Sequence, residues 1–340
     1  SMINDGNGKP SFFAVRLGSP IIAGFTTVTP PSGCDTDGGV CYIPVNNKQD
    51  TSSPAFQSIA LDGDPGRFVV IAHFRLKVHK SATNFVKSFL TCRSNCINLG
   101  NGDAAVSDSR MLIENIDVRS GASFNNVGGA VVWVVEKDVG TAILDVRYTG
   151  AYTARTVSFY TDSNGEPAVL AFRCPGYCSL EQEATVTGTT VLPVDSSSSN
   201  IQEVTAPSTG SYLAFSNYRI RHDPGSDQHG FVRMAFWDAN GEGEPLMVTE
   251  GMQPSGNGFI NWGGAAAAVV QGQAGQKIST RYVSEQSPAN QWRFYNDVNG
   301  VPVLLIVELP GVSSPATSTQ IPAGPIAKDS WTDLAQLASP

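Results

Sequence analysis

Charged side chains are scarce in this chain of 340 residues, since Asp, Glu, Lys and Arg together make up only 15% of it. Glycine and proline are abundant by comparison, with 34 and 21 residues. Because surface helices are built largely from Lys and Glu, this balance predicts an all-β protein. The formal net charge of -8 and the absence of a basic stripe argue against a nucleic-acid partner, because phosphate binding requires clustered Lys and Arg.

The sequence also lacks an apolar run of about 18 residues, the length that a membrane-spanning helix needs, so we expect no insertion into a membrane. Catalytic motifs are absent too: there is no nucleophile elbow, HExxH motif, phosphate loop or dinucleotide fingerprint. We therefore expect a protein that is not an enzyme and carries no cofactor or metal. A β-sandwich carbohydrate-active enzyme is an alternative, because its paired carboxylates can lie far apart in sequence.

The chain contains an internal duplication. The segment from Phe124 to Gly176 aligns with the segment from Phe259 to Gly311 at a constant offset and without a gap. The best-matched parts read FYTDSNGEP and FYNDVNGVP. Further upstream the offset between the copies is larger, so the first copy carries about eleven extra residues between Lys87 and Phe124.

This repeat predicts the domain organisation. The first jelly-roll domain is expected at residues 1–178 (copy one) and the second at residues 179–311 (copy two). A Pro/Ser-rich linker and C-terminal tail follow at residues 312–340.

Short apolar segments recur between turns in both copies, which is typical of β-sandwiches. The last segment of each copy, Ala168–Phe172 and Val303–Val307, has no polar face. A strand of this kind is buried on both sides. The outer face of its sheet then needs a cover, which we expect to be another subunit.

Six cysteines form three close pairs, namely Cys34 with Cys41, Cys92 with Cys96, and Cys174 with Cys178. This spacing predicts three local disulfides; zinc is the alternative, but no histidine stands at partner spacing. Disulfides persist in oxidising compartments, so we expect a secreted or cell-surface protein.

Two oxygen-rich turns, Asp162–Gly165 and Asp297–Gly300, resemble calcium loops in composition. Asn-Gly between apolar runs is, however, also the strongest signal for a type I′ hairpin. Neither turn has the acidic residue at the twelfth loop position that an EF-hand needs. We predict hairpins rather than metal sites.

Trp237, Asp238 and Asn240 are the candidate ligand-binding residues. Trp237 ends an apolar strand, and a polar loop follows it. An exposed tryptophan beside polar side chains suits contacts with sugars or proteins. A half-buried core tryptophan is the alternative.

Several short motifs resemble the complement globular-head and tumour-necrosis-factor superfamily. The segment Pro207–Phe215, PSTGSYLAF, resembles its P-x-x-G-x-Y-x-F strand, and Asp64–Phe68 echoes this in copy one. Pro10–Ala14 resembles its P-x-F-x-A start. The resemblance implies a ten-stranded jelly roll that forms a trimer through an apolar face and acts by binding.

The sequence therefore predicts two tandem jelly-roll β-sandwich domains in an extracellular, non-enzymatic binding or adhesion protein. The expected partner is a glycan or a cell-surface protein, recognised by loops of a homotrimer. A viral or phage capsid or spike structural protein is the first alternative, and the β-sandwich carbohydrate-active enzyme is the second.

Overall fold

The computed structural model describes residues 26–27, 36–37, 40–43, 55–79, 84–97, 107–116, 124–150, 155–159, 167–179, 185–186, 189–192, 200–223, 231–250, 258–284, 291–296 and 300–311. Within these ranges the regular elements are β-strands in antiparallel pairs, and no helix is long and apolar enough to cross a membrane. The predicted all-β class is confirmed.

Copy one contributes β1 (Thr26–Thr27), β2 (Thr36–Asp37), β3 (Val40–Tyr42), β4 (Ala55–Leu61), β5 (Gly66–Val78), β6 (Phe85–Ser94), β7 (Cys96–Ile97), β8 (Ser107–Glu114), β9 (Asn125–Lys137), β10 (Ala142–Gly150), β11 (Val157–Phe159) and β12 (Ala168–Arg173). Copy two contributes β13 (Thr185–Val186), β14 (Thr190–Val191), β15 (Asn200–Thr205), β16 (Gly210–Asp223), β17 (Phe231–Asp238), β18 (Gly241–Glu242), β19 (Leu246–Glu250), β20 (Ile260–Gly272), β21 (Lys277–Ser284), β22 (Gln291–Phe294) and β23 (Val303–Glu308).

Each copy is a sandwich of two sheets. In copy one, the first sheet is built on β9, β5, β12 and β1, with β11, β3, β2 and β7 added at its margins, and β8, β6, β10 and β4 form the second. In copy two, the first sheet is built on β20, β16 and β23, with β22 and β14 at its margin, and the second on β19, β17, β21 and β15, with β18 and β13 at its margins. The chain crosses between the sheets in the same order in both copies, as in a jelly roll. The predicted tandem jelly-roll fold is confirmed.

The strand registers repeat as well. Gly66 faces Lys137 between β5 and β9, and Gly210 faces Gly272 between β16 and β20. The sequence alignment of the copies matches the same residues, Gly66 with Gly210 and Lys137 with Gly272. The duplicated sequence therefore produces duplicated pairing.

The ungapped alignment is nevertheless wrong in one strand. The core-facing side of β10 carries Leu144 and Tyr148, and that of β21 carries Ile278 and Tyr282. The ungapped alignment places Tyr148 opposite Val283, the neighbour of its structural counterpart Tyr282. Neighbouring residues of a strand point to opposite faces of the sheet. In this strand, the ungapped alignment therefore matches the core-facing residues of one copy with the outward-facing residues of the other.

A buried glutamine connects the two sheets in each copy. In copy one, Gln57 accepts a hydrogen bond from the Tyr148 hydroxyl (2.7 Å) and donates one to a carbonyl of β5 (3.1 Å). In copy two, Gln202 accepts from the Tyr282 hydroxyl (3.2 Å) and donates to the equivalent carbonyl of β16 (2.9 Å). Burial raises the pKa of both tyrosines, so they remain donors.

The closing strands are buried because the first sheets of the two copies pack face to face. Val69, Val132 and Phe172 of copy one lie in one apolar cluster with side chains of β16 and β23, including Phe215 and Leu305. Leu305 is fully buried. The cover of each closing strand is thus the other copy, not another subunit as the sequence predicts.

Two polar features strengthen this contact. Strand β8 of copy one pairs with β20 of copy two, which joins one sheet from each copy into a continuous nine-stranded sheet. Beside it, the Asn217 side chain bonds the edge of β9 that faces away from β5: its Oδ1 accepts from the Val132 amide (3.0 Å) and its Nδ2 donates to the Val132 carbonyl (2.8 Å). The amide side chain substitutes for a missing strand.

The cysteine prediction is wrong for one pair. Cys92 and Cys96 form a disulfide, and Cys41 is disulfide-bonded, while its predicted partner Cys34 lies outside the described residues. Cys174 and Cys178 are not bonded to each other. The reason is that the backbone of Cys174 still bonds copy one, whereas Cys178 pairs with β23 of copy two. The domain boundary at 178/179 stays a prediction, and the tail at 312–340 lies outside the described residues.

Gly263 and Gly128 occupy equivalent positions and give a matched test of the contact between the copies. A Cβ at Gly263 would fall on the Met111 carbonyl of β8, whereas a Cβ at Gly128 would come no nearer than 3.6 Å to another atom. We expect Gly263→Ala to lower the free energy of unfolding by about 3 kcal/mol, because backbone must move. Gly128→Ala should change it by less than about 1 kcal/mol. Urea unfolding measures both, and equal losses would contradict the close approach.

Candidate functional site

The three predicted site residues lie where β17 turns into β18. Asp238 faces Gly241, whose φ of 103° closes the turn. One Asp238 oxygen accepts from the Asn240 amide (2.7 Å), and the other accepts from the Gln271 amide (2.7 Å). Both carboxylate oxygens therefore hold the turn in place, which gives Asp238 a positioning role, while the Asn240 side chain is exposed at the tip.

Trp237 is half-buried on the outward face of the second sheet of copy two. The Arg281 guanidinium lies 3.4 Å from the centre of its ring, in a cation–π contact. Arg281 is fixed in turn, because its Nε donates to Asn200 Oδ1 (2.9 Å). The Trp237 ring therefore stacks with Arg281 at the surface and is not part of the core cluster of copy two.

Two more side chains complete this surface. Glu203 accepts a hydrogen bond from Asn200 (2.7 Å) and forms an ion pair with Lys277, whose side chain is 58% exposed. The hydrogen bond from Lys277 holds the pKa of Glu203 below its ordinary value, so Glu203 is ionised at neutral pH. We name Trp237, Arg281, Asn200, Glu203 and Lys277 the Trp237 platform.

The Trp237 platform combines an aromatic ring with fixed donors and a fixed acceptor. Aromatic rings contact the apolar faces of ligands, and a few placed polar groups set their orientation. Side chains held by one another lose little conformational entropy when a ligand binds. This chemistry fits hydroxyl-rich or polar ligands and requires no metal.

Copy one does not repeat the Trp237 platform. Thr91 stands at the position of Trp237, and Arg147 stands at the position of Arg281. Arg147 is turned to Asp145 (2.9 Å) and to Thr91 (2.9 Å), and it is only 8% exposed. The arginine at this position therefore belongs to a buried hydrogen-bond network in copy one and to an accessible surface in copy two.

The described residues contain no group of three His, Cys, Asp or Glu side chains that could hold a metal ion. The turn at Asp162–Gly165 lies outside these residues, and of the turn at Asp297–Gly300 only Gly300 is described. Among the described residues, the strands that flank each turn do not pair with each other, because β11 and β12 both pair with β5, and β22 and β23 both pair with β16. The prediction that these turns join hairpins is therefore wrong. A small cleft between the copies, lined in part by Arg110, Arg219 and Gly300, has room for about one water molecule.

His222 is the most deeply buried histidine of the described residues, at 1% exposure. Its ring stacks on Trp292, with centres 4.2 Å apart, and neither ring nitrogen has a hydrogen-bond partner among the described residues. Burial lowers the pKa of His222, although the nearby Asp223 acts in the opposite direction. The ring is therefore neutral in the folded protein at neutral pH.

This neutral histidine predicts a loss of stability in acid. The unfolded chain binds a proton at His222 below about pH 6.5, whereas the folded chain binds it only at a lower pH, so the free energy of unfolding falls as the pH drops between the two, by at most about 1.4 kcal/mol per pH unit for one group. His222→Phe keeps the stack but removes the titration, so this variant should lose less stability between about pH 7 and about pH 5. Urea unfolding across this range tests the prediction, and an unchanged slope would contradict it.

Comparisons with known proteins do not assign the chain to a family. No family model matches the chain, and no curated protein matches it. Solved structures that match include the tandem CBM22-1–CBM22-2 domain of Paenibacillus barcinonensis Xyn10C, at 9% identity over 89% of this chain and 97% of that one, with a TM-score of 0.21. The mosquito-larvicidal Cry4Aa toxin of Bacillus thuringiensis matches at 7% identity over 73% of this chain and 54% of that one, with a TM-score of 0.19. Likenesses at these scores carry no argument about function.

The surface position of Trp237 can be tested by comparing two tryptophans. Trp292 is 2% exposed in the core of copy two. We expect Trp292→Ala to cost about 3–5 kcal/mol in the free energy of unfolding, because it leaves a cavity. Trp237→Ala should cost about 1 kcal/mol. If urea unfolding shows a similar loss for both variants, Trp237 is a core residue.

Proposed function

We propose that this chain is an extracellular, non-enzymatic binding or adhesion protein that recognises a glycan or a protein surface through the Trp237 platform. The observation that carries the proposal is the stacked Trp237–Arg281 pair, held by Asn200 on an open sheet face. Asn240, exposed in the adjoining turn, extends the surface towards the loops.

The distribution of burial supports this choice. One sheet of each copy packs against the other copy, so the apolar side chains of that contact cannot meet a ligand. The outward face of the second sheet of copy one is closed as well, since Lys87, Phe89 and Thr91 are buried. The equivalent face of copy two offers an accessible ring with charged neighbours.

Location and family are proposed on separate grounds. The disulfide of Cys92 with Cys96 and the bonded Cys41 favour an oxidising compartment. The jelly-roll strand order of both copies is what the resemblance to the complement-head and tumour-necrosis-factor superfamily implies. The homotrimer that this resemblance also implies stays a prediction.

A glycan array, together with a panel of cell-surface proteins, tests the binding proposal with labelled protein. We expect Trp237→Ala and Arg281→Ala to weaken the strongest signal by roughly tenfold or more, because both remove central contacts. Phe124→Ala is the matched control: Phe124 of copy one is 37% exposed and also lies under a cation, Lys77, at 3.9 Å. It should bind like the parent protein. Equal loss in all three variants would contradict the assignment.

A structural role in a viral or phage shell or spike is the second candidate. The observation that favours it is the continuous sheet through β8 and β20, which makes one rigid unit of two jelly rolls. Electron microscopy of concentrated protein tests it: closed shells would favour this role, and their absence together with an array signal would favour binding.

A further inference from the structure

We propose that the chain also associates with itself, head to tail, by placing the edge of β19 of one molecule against the edge of β9 of the next. This contact would repeat between molecules the junction that β8 and β20 form within one molecule. It does not rest on the ligand proposed above.

The internal junction depends on four residues. Asn261 of β20 faces Glu114 of β8, and its side-chain amide donates to the Glu114 carboxylate. Gly263 leaves room for the Met111 carbonyl, where any Cβ would collide. All four residues lie inside the contact: Asn261 is fully buried, and Met111 and Glu114 are 2% and 8% exposed.

The strand β19 is the counterpart of β8, and its register shows this. Phe85 faces Glu114 between β6 and β8, and Phe231 faces Glu250 between β17 and β19. In both pairs the register shifts two residues into the strand, between Val86 and Lys87 of β6 and between Val232 and Arg233 of β17. As a result, Lys87 faces Met111 and Arg233 faces Met247. Met247 and Glu250 therefore hold the positions of Met111 and Glu114.

The strand β9 is likewise the counterpart of β20. Asn126 and Gly128 hold the positions of Asn261 and Gly263, with which they align in the ungapped part of the duplication. All four residue types of the internal junction thus recur in the chain, two on β19 and two on β9. They are not needed to join the copies, because β8 and β20 already do so.

Three of the four recurring residues are accessible where their counterparts are buried. Asn126 and Gly128 are exposed, and Met247 is 38% exposed. Phe124, just before β9, is another of the few large apolar side chains exposed in the described residues. Within these residues β19 pairs only with β17, so its other edge has unused backbone groups. On β9 the accessible part of the edge is the part around Asn126 and Gly128, because Asn217 bonds the edge at Val132 and β7 pairs with it at Glu136 and Lys137. Each molecule therefore presents a donor strand and an acceptor edge of matching composition.

The geometry makes this contact heterologous. Each molecule offers β19 on copy two and β9 on copy one, so one contact leaves a donor and an acceptor open for the next molecule. Repetition gives a closed ring or an open filament, according to the rotation at each contact. A two-fold dimer with the same patch on both sides is a different arrangement, which the experiment below distinguishes.

Sedimentation velocity over a range of concentrations tests the acceptor side. Gly128→Val should raise the dissociation constant for self-association by roughly tenfold or more, because the branched side chain blocks the approaching carbonyl. The variant should fold, since a Cβ at this position meets nothing nearer than 3.6 Å. Gly210→Val is the control: it is also a strand glycine, with nothing within 4 Å of its Cβ. It should associate like the parent protein.

A mixing experiment tests the direction of the contact. Met247→Lys should disable the donor strand, because the equivalent Met111 is buried in the internal junction. The Gly128→Val and Met247→Lys variants should each be monomeric, and their mixture should form a one-to-one complex that grows no further. A parent protein that stays monomeric at all concentrations would overturn the proposal. So would a Gly210→Val variant as impaired as Gly128→Val, or two variants that do not complement each other. Because no glycan is present, failure here leaves the binding proposal untouched, and failure on the array leaves this one untouched.

Discussion

The structure depends on the apolar contact between the first sheets of the two copies. Val69 and Phe172 on one side and Phe215 and Leu305 on the other would face water if the copies were separate. Burying these side chains is the dominant gain, because it scales with the apolar area removed from water. This contact also brings β8 to the edge of β20 and Asn217 to the edge of β9, so the polar pairing follows from the apolar packing.

Much of the fold can be predicted from the sequence, because the same apolar segments recur in both copies and predict the same strands. The strands β4 and β15 are not predicted from the sequence, since each carries a buried glutamine where an alternating pattern requires an apolar residue. The strands β8 and β19 are not predicted either, because a register shift interrupts the pairing of β8 with β6 and of β19 with β17. The slip between β10 and β21 is visible only once the core-facing residues are known.

The candidate site is predictable only in part, for a related reason. Trp237 is marked by its place at the end of an apolar strand, and the structure locates its side chain on the surface. Its partners Arg281 and Asn200 are distant in sequence and reach it through the order β15–β21–β17. The absence of a bond between Cys174 and Cys178 is equally a tertiary effect, since Cys174 bonds β5 of copy one whereas Cys178 pairs with β23 of copy two.

The two copies form one cooperative body, on which one sheet face and two strand edges remain open. Differential scanning calorimetry measures this directly, because a single two-state transition requires equal calorimetric and van't Hoff enthalpies. We expect one such transition for the whole chain. Two separate transitions, each with about half of the enthalpy expected for the chain, would contradict it.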